Sequence, residues 1–374
     1  MTLKDKLFKT GKKRLLSLDG GGIRGLVTLG YLSRMETILR KRYKNPDLVL
    51  SDYFDLIGGT STGAVIATLL SLGWSVGQIK EMYMKLATEV FQPKDYLFGP
   101  IGRLLGAKFS TQPLEKIFRE TFGGLTLGSD EFKTGLLIVA KRADTGSVWA
   151  MINVPGNKYY DMNKDILIWE LLRASTAAPT YFKPQKIGDV GFGKSAIFID
   201  GAVSMHHNPS LLLMMVANLK GYGLNWLLGD DNLSLCSVGT GHIVHDHEID
   251  DLQDKKNIGW APVLLSQMIN DSTELVQTML QWMSDSPTAC SIDSQIEHLH
   301  DDRVTMNHLL HYIRYDIDLT QEVLSEFGLN YTQEEITDLC KLDDVNHKDD
   351  LIRIGEVAAE QQMKPDHFTG HFDI

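Results

Sequence analysis

The residues best suited to chemistry in this sequence lie in one serine-centred stretch. A short apolar run at residues 54–57 is followed by a glycine-rich corner and then by good helix formers from Ala64 onwards. The spacing Gly59-x-Ser61-x-Gly63 is that of a nucleophile elbow, a tight turn between a strand and a helix. Glycines are needed there because a Cβ would clash with the strand or the helix, and the helix N-terminus favours developing negative charge. The pattern predicts Ser61 as a nucleophile, against the alternative of an ordinary glycine- and threonine-rich loop.

A second glycine cluster, residues 20–25, follows a predicted strand at residues 14–18 and precedes a predicted helix at residues 26–41. Its spacing also fits a dinucleotide-binding turn, but that fold requires a strand ending in a ribose-binding acid about 20 residues further on. The next predicted strand instead ends at Ser61. Consecutive glycines at a helix N-terminus expose backbone N–H groups that can stabilise an oxyanion formed beside that serine. Within the cluster, Arg24 either supplies charge for a phosphate or caps local carbonyls at the surface.

A serine hydroxyl needs a base to remove its proton, and Asp200 occupies the best position for that role. It ends a predicted buried strand at residues 196–199 and is followed by Gly201 and Ala202, which permit close approach. Burial raises the pKa of a carboxyl group towards the range of a general base. Taken alone, the triplet would suit a turn in which Asp200 only accepts backbone N–H bonds.

Histidines offer an alternative base. His206 and His207 follow Asp200 in the order serine, aspartate, histidine that α/β-hydrolases use. His242 begins a stretch, residues 242–251, that is rich in acidic residues and lacks the spacing of a zinc site, so no metal is expected. A histidine-dependent esterase acting on small esters would need one of these three histidines, with Asp200 only orienting it.

The glycine loop, the serine elbow and the aspartate occur in this order, each at a predicted strand end, and together they resemble the patatin-like phospholipase family. The resemblance covers about residues 13–241, and residues 174–182 and 238–241 are also similar to family sequence. It implies that Ser61 and Asp200 work as a dyad without histidine and that the glycine loop forms an oxyanion hole. The oxyanion residues would be Gly20, Gly21, Gly22 and Ile23, and the other motif positions are Arg24, Gly25, Gly59, Gly63, Gly201 and Ala202.

The resemblance also implies the reaction and the cofactors. The reaction would be hydrolysis of acyl esters of membrane glycerophospholipids through an acyl-serine intermediate that water then releases. No metal or organic cofactor would be needed. A lipid acyl hydrolase or esterase acting on other ester substrates is the alternative.

The order of predicted elements sets the fold class. Strands alternate with helices as far as Leu233–Val238, the last predicted strand, which indicates an α/β fold with a mostly parallel central sheet flanked by helices. In the patatin-like form this is a three-layer fold. We therefore expect a catalytic domain over residues 13–241 and a mostly helical C-terminal extension, residues 242–374, packed on the core. The apolar segment at residues 91–109 is either a lid or a buried connection.

The C-terminal extension resembles bacterial patatin-like effectors of cyclic-nucleotide antiphage (CBASS) signalling. That resemblance implies a cyclic di- or oligonucleotide activator and leaves room for a homo-oligomer. Tyr312, Arg314 and Tyr315 could bind such a nucleotide, because aromatic rings stack on bases and guanidinium groups bind phosphates. Ordinary packing of these residues and an unregulated lipase are the alternatives.

Composition sets the remaining expectations. A net charge of −11 argues against a protein that binds DNA or RNA. Three widely separated cysteines without metal-type spacing fit reduced thiols. No apolar run is long enough to span a bilayer and no signal-peptide pattern is present, so we expect a cytoplasmic enzyme acting on a phospholipid membrane at its inner face.

Overall fold

The structure is a computed structural model of the chain, and it describes residues 2–91, 107–191, 193–244 and 257–374. Its central feature is a nine-stranded sheet. The strands are β1 (Lys13–Leu18), β2 (Leu56–Thr60), β3 (Gly135–Arg142), β4 (Val148–Ile152), β5 (Gln185–Ile187), β6 (Ala196–Asp200), β7 (Leu233–Val238), β8 (Ser284–Asp285) and β9 (Leu310–Tyr315). They lie in the order β5-β6-β3-β2-β1-β7-β9-β8, and β4 pairs with β3 outside this path.

Helices cover both faces of the sheet. They are α1 (Leu3–Phe8), α2 (Gly25–Tyr43), α3 (Leu50–Tyr53), α4 (Thr62–Ser71), α5 (Val76–Val90), α6 (Thr111–Phe122), α7 (Tyr160–Asn163), α8 (Ile168–Ser175), α9 (Ser210–Asn218), α10 (Asn257–Met283), α11 (Gln321–Glu326), α12 (Gln333–Leu339) and α13 (Lys348–Gln362). Leu16 and Ile57 pack in one hydrophobic cluster with α2 and α4, whereas their neighbours Leu15 and Leu56 pack in a second cluster with α9. Because side chains alternate across a strand, these two clusters lie on opposite faces.

Strand pairing confirms the expected fold class. It is parallel from β3 through β2, β1, β7 and β9 to β8, and antiparallel where β3 meets β4 and β6 and where β6 meets β5. Every residue of β1, β2, β7 and β9 is buried, as parallel strands covered on both faces require. The fold is an α/β arrangement with a mostly parallel central sheet.

The register of β3 brings two chain segments together. β4 pairs with residues 137–141 along one edge of β3, so β2 and β6 share the opposite edge. β2 ends with Thr60 opposite Val139, and the antiparallel β6 ends with Asp200 opposite Ala140. The residue that follows Thr60 is therefore a neighbour of Asp200 in space.

The chain beyond residue 241 is not only helical. β9 lies between β7 and β8 and is buried along its length, so the prediction that Leu233–Val238 is the last strand is wrong. α13 crosses α2 closely enough that a Cβ on Gly30 would lie 2.4 Å from the carbonyl carbon of Gly355. The sheet thus crosses the predicted boundary at residue 241, and a division into residues 13–241 and 242–374 stays a prediction from motifs.

Helices α5 and α6 flank the apolar segment at residues 91–109. Most of the segment predicted as either a lid or a buried connection, residues 92–106, lies outside the described residues, as do residues 245–251 of the acidic stretch. Among the helices that the structure describes, none combines the length and the apolar character needed to cross a membrane.

Candidate active site

Ser61 lies at a sharp turn between β2 and α4. Its backbone has φ 55° and ψ −121°, a conformation that costs about 1–3 kcal/mol for a residue with a side chain and persists only when neighbours enforce it. Ser61 N–H donates to Ser175 Oγ at 2.8 Å, and Ser175 Oγ donates to the Val139 carbonyl at 2.6 Å. The sequence predicted no role for Ser175, and its one signal was its position in the family-like stretch 174–182. The turn is therefore fastened to β3.

The glycines around Ser61 have a steric cause. A Cβ on Gly59 would lie 2.2 Å from the carbonyl carbon of Gly63, and a Cβ on Gly63 would lie 2.2 Å from the Leu18 carbonyl oxygen. Gly25, the first residue of α2, also has no room for a side chain. A Cβ at this position would lie 2.7 Å from Thr62 Oγ1 in the elbow. The close approach of backbones at the elbow thus requires the spacing seen in the sequence.

Asp200 contacts Ser61 directly. Asp200 Oδ2 accepts a hydrogen bond from Ser61 Oγ at 2.6 Å, and Oδ1 accepts one from the Ala202 N–H at 2.8 Å. Burial raises the pKa of Asp200 to about 7, against the lowering effect of these hydrogen bonds and of the Arg173 charge. A buried carboxyl group with this pKa, in contact with a hydroxyl group, is suited to accept a proton near neutral pH.

Two of the four predicted oxyanion donors are already engaged. The Gly20 N–H donates to the His207 carbonyl at 3.1 Å, and the Ile23 N–H donates to the Leu342 carbonyl at 2.9 Å. An N–H group bonded to a backbone carbonyl is not available to an oxyanion. The prediction that Gly20 and Ile23 are oxyanion donors is therefore corrected. Both acceptor carbonyls belong to residues that are remote in the sequence.

Gly21 and Gly22 remain as candidate oxyanion donors. Both line the cavity beside Ser61, and neither N–H has an acceptor among the described residues. Arg24 is 5% exposed and donates from Nη1 to the Gly241 carbonyl at 2.9 Å. It caps a carbonyl as the second interpretation held, but it does so in the interior, on the wall of the same cavity.

A cavity of about 480 Å³ opens onto Ser61 and Asp200. Most of its wall is apolar and comes from α4, α5, α6 and α10, through Val65, Leu86, Val90, Leu114, Phe118, Leu265 and Ile269. A few polar groups, among them Asp19 and Thr240, converge near the glycine loop. An apolar pocket with a small number of placed polar groups is the usual form of a ligand site, and this one suits an acyl chain.

Comparison with known families decides the assignment of the chain. A family model described as patatin-like phospholipase matches residues 16–213 of the 374. This range is more than half of the chain and contains the glycine loop, the Ser61 elbow and Asp200. The chain belongs to the patatin-like phospholipase family.

Curated members of the patatin-like family are similar to about half of the chain. A protein of Escherichia coli (strain TW11681) described as a cGAMP-activated phospholipase is 30% identical over 199 residues, which is 53% of this chain and 54% of that protein. A protein of Vibrio cholerae serotype O1 with the same description is 31% identical over 205 residues, which is 53% of this chain and 56% of that protein. Patatin-17 of Solanum cardiophyllum is 29% identical over 236 residues, 61% of this chain and 60% of its own. A solved structure, human GIVD cytosolic phospholipase A2, aligns over 99% of this chain and 62% of that one, with TM-score 0.47 and 11% identity. The chain thus spans about half the length of the first two relatives.

No histidine of the patatin-like site makes a hydrogen bond with Ser61 within the described part of the chain. His207 is buried, and burial lowers its pKa to about 3. His242 Nδ1 is hydrogen-bonded to Asp318 Oδ1 at 2.9 Å. Burial also lowers the pKa of His206. The contact expected of a histidine base is made by Asp200 instead.

The predicted nucleotide-binding residues do not form a surface. Tyr312 is 0% exposed and Tyr315 is 1% exposed, within β9. Arg314 Nη2 contacts Asp19 Oδ2 at 2.7 Å and Asp316 Oδ2 at 2.8 Å. Rings packed inside the sheet cannot stack on a base, and the guanidinium group is already paired. The nucleotide-binding prediction for these three residues is wrong, and ordinary packing accounts for them.

One group of side chains in the described ranges has the types and spacing to hold a metal ion. The ligand atoms of Asp338, Asp344 and His347 lie within 4.8 Å of one another. However, His347 Nδ1 is hydrogen-bonded to Asp344 Oδ2 at 2.7 Å, and Lys341 forms an ion pair with Asp338. These groups satisfy one another, and we assign no metal to them.

Proposed function

We propose that this chain is a serine lipid acyl hydrolase in which Ser61 is the nucleophile and Asp200 is the base. The observation that carries the proposal is the 2.6 Å hydrogen bond from Ser61 Oγ to Asp200 Oδ2 at the turn after β2. In the first step Asp200 takes the hydroxyl proton while Ser61 Oγ attacks the ester carbonyl carbon. The N–H groups of Gly21 and Gly22 and the N-terminus of α4 stabilise the charge that develops on the carbonyl oxygen.

The rest of the cycle returns every proton. Asp200 gives its proton to the leaving alkoxide, which departs as an alcohol and leaves an acyl group on Ser61. A water molecule then gives a proton to Asp200 and attacks the acyl carbonyl carbon. The second tetrahedral intermediate collapses, Ser61 recovers its proton from Asp200, and the fatty acid leaves. The cycle uses no metal or organic cofactor.

The substrate we propose is a glycerophospholipid in a bilayer, because an apolar row on α10 faces solvent beside the cavity. The exposed residues of this row are Leu264, Leu265, Met268, Leu275 and Trp282. Steps of four and seven residues place most of them along one side of the helix. Leu265 also lines the cavity, so the row continues into the site that holds Ser61. Exposed apolar helix faces with an interfacial aromatic residue are typical of membrane-docking helices.

Replacing Met268 and Leu275 together with glutamate is expected to reduce binding to phosphatidylethanolamine–phosphatidylglycerol vesicles by about tenfold or more, since each large apolar side chain contributes about 1.5–3 kcal/mol when fully buried. Co-sedimentation measures the binding. Fatty-acid release from vesicles should fall with it, and hydrolysis of a soluble short-chain ester should not. Met306→Glu is the matched control, because Met306 is 92% exposed and does not line the cavity. Unchanged vesicle binding in the double variant would contradict this docking face.

We further propose that a cyclic di- or oligonucleotide switches the enzyme on in antiphage defence. Two relatives described as cGAMP-activated phospholipases support this activation. The reaction would take place at the inner membrane face, where a nucleotide made in the cytoplasm can reach the enzyme. An unregulated lipid acyl hydrolase is the second candidate, supported by Patatin-17, a relative of similar identity whose name carries no activator.

The experiment that tests the function is fatty-acid release from phospholipid vesicles by the wild-type chain, with and without cGAMP and a panel of other cyclic di- and trinucleotides. We expect release to appear when one of these nucleotides is added. Steady release without any nucleotide would favour the unregulated hydrolase. If neither vesicles nor a short-chain ester are hydrolysed in any condition, the proposal of a lipid hydrolase is wrong.

A further inference from the structure

The glycine loop begins at a buried ion pair whose cation comes from the other end of the sequence. Asp19 precedes the loop, and its Oδ2 accepts a hydrogen bond from Arg314 Nη2 at 2.7 Å. Arg314 also donates to Asp316 Oδ2 at 2.8 Å and, from Nη1, to Ser237 Oγ at 2.7 Å. The side chains of Arg314 and Asp19 are 4% and 3% exposed. One guanidinium group thus joins the ends of β1, β7 and β9.

A second set of hydrogen bonds runs from the same cluster to the loop. Asp316 Oδ1 accepts a hydrogen bond from the Gly241 N–H at 2.9 Å. Thr240, the neighbour of Gly241, donates from Oγ1 to the Gly20 carbonyl at 2.9 Å. The position of Gly20 therefore depends on β9 by two routes, one through Asp19 and one through Asp316.

We propose that Arg314 is a positioning residue that holds Asp19 and, through it, the backbone N–H groups of Gly21 and Gly22 where the oxyanion forms. This inference rests on the proposed function, because it requires an oxyanion beside Ser61. Oxyanion donors must lie about 2.7–3.1 Å from the oxygen, and a displacement of about 1 Å can lower a rate roughly 10²-fold. Consecutive glycines are conformationally free and bring no side chains to anchor them, so contacts from other elements must hold the loop. The Tyr83 hydroxyl donates to the Gly22 carbonyl at 2.9 Å, and Arg314 holds the start of the loop through Asp19.

The arrangement requires arginine in particular. Its planar group reaches Asp19, Asp316 and Ser237 at once, whereas the ammonium group of lysine is a point charge on a flexible stem. Complete removal of the cation would leave two carboxylates without a buried partner, and that is strongly destabilising. Conservative changes are therefore the sharper test.

The test compares two conservative variants with a matched ion pair. Arg314→Lys keeps the positive charge but loses the planar guanidinium group that reaches three partners at once. Ser237→Ala keeps the cation but removes the hydroxyl group that accepts a hydrogen bond from Arg314 Nη1. Arg14→Lys is the control: Arg14 Nε lies 3.0 Å from Asp55 Oδ2, both side chains are buried, and the pair is at the opposite end of β1 from Asp19. Each variant is assayed on a soluble short-chain ester, with the activating nucleotide if one is required.

We expect Arg314→Lys to lower kcat about 10- to 100-fold, and Ser237→Ala to lower it by a smaller factor, with KM changed less than about twofold. Labelling of Ser61 by a fluorophosphonate should slow in proportion, because that reagent also places negative charge on the oxyanion donors. Arg14→Lys should lower Tm to a similar extent and leave the kcat of the folded enzyme unchanged.

Unchanged kcat and labelling rates in Arg314→Lys and Ser237→Ala would overturn the inference. An equal loss of kcat in Arg14→Lys would also overturn it, because a purely structural role predicts that result. If Arg314→Lys does not fold, Ser237→Ala decides alone. If the wild-type enzyme neither hydrolyses the ester nor is labelled, the proposed function itself is contradicted. If the wild-type enzyme is active and the variants are as active as it is, only the positioning role is contradicted.

Discussion

Replacing Ser61 with alanine is expected to lower kcat by a factor on the order of 10⁴–10⁶, because the variant has no oxygen with which to form an acyl-enzyme. Substrate binding and the oxyanion donors should still leave a small rate above that of water. Alanine adds no atoms to the turn, so the elbow between β2 and α4 should keep its shape. Steady-state hydrolysis of a soluble ester, together with fluorophosphonate labelling, measures the loss.

Ser51→Ala is the matched control for this change. Ser51 is buried in α3, which precedes β2, so it lies at the opposite end of that strand from Ser61. The control loses the same hydroxyl group from the interior and should retain wild-type kcat. If Ser61→Ala stays within about tenfold of wild type, another nucleophile does the chemistry, because loss of the acyl-enzyme route should cost on the order of 10⁴-fold or more.

β1, β2, β6 and β7 could be predicted because each contains a short apolar run that is ended by glycine or aspartate. β5, which reads Gln185-Lys186-Ile187, contains no such run. β9 could not be recognised in this way, because His311 and Arg314 interrupt its apolar pattern. Inside the sheet these side chains have partners: His311 Nδ1 lies 3.3 Å from Ser234 Oγ, and Arg314 is paired with Asp19. Partners this distant along the chain leave no local signature, so the sequence alone leaves both nucleotide binding and ordinary packing open for Tyr312, Arg314 and Tyr315.

The same distinction separates what was predictable at the site from what was not. Gly59 and Gly63 could be predicted because the steric demand of the elbow involves near neighbours in the sequence. Asp200 could be placed because it ends an apolar run of strand length, residues 196–199. Which N–H groups of the glycine loop are engaged depends on the carbonyls of His207 and Leu342, and only the folded chain brings these to the loop.

Replacing Asp200 with asparagine is expected to lower kcat/KM about 10²- to 10⁴-fold, the usual contribution of a general base. Asparagine has the shape of aspartate and can keep the hydrogen bond from the Ala202 N–H, but it cannot take the proton of Ser61.

Burial raises the pKa of Asp200 to about 7, and the ionised form is the active one. Wild-type kcat/KM should therefore rise with pH, by about tenfold per unit, to a plateau above pH about 7. Asp200→Asn should lose this dependence.

Stability measurements separate the loss of the base from the loss of the fold. The folded-state pKa of Asp200, about 7, lies above the ordinary value of 3.8. The contribution of Asp200 to the free energy of unfolding is therefore fully present below pH about 4 and is lost as pH rises through about 7. At pH 8 the asparagine variant, which cannot ionise, should be at least as stable as wild type in thermal unfolding while being nearly inactive.

The position of the acid limb of the pH profile also decides between aspartate and histidine as the base. Burial lowers the pKa of His207 to about 3, so a His207 base would place the limb near pH 3. We expect the limb near pH 7 to persist in His207→Gln and to vanish in Asp200→Asn. The reverse pattern, or near wild-type hydrolysis in Asp200→Asn, would transfer the base to histidine and remove the reason for the dyad. The expected pattern assigns the base to Asp200, because no other described side chain that is hydrogen-bonded to Ser61 Oγ titrates near neutral pH.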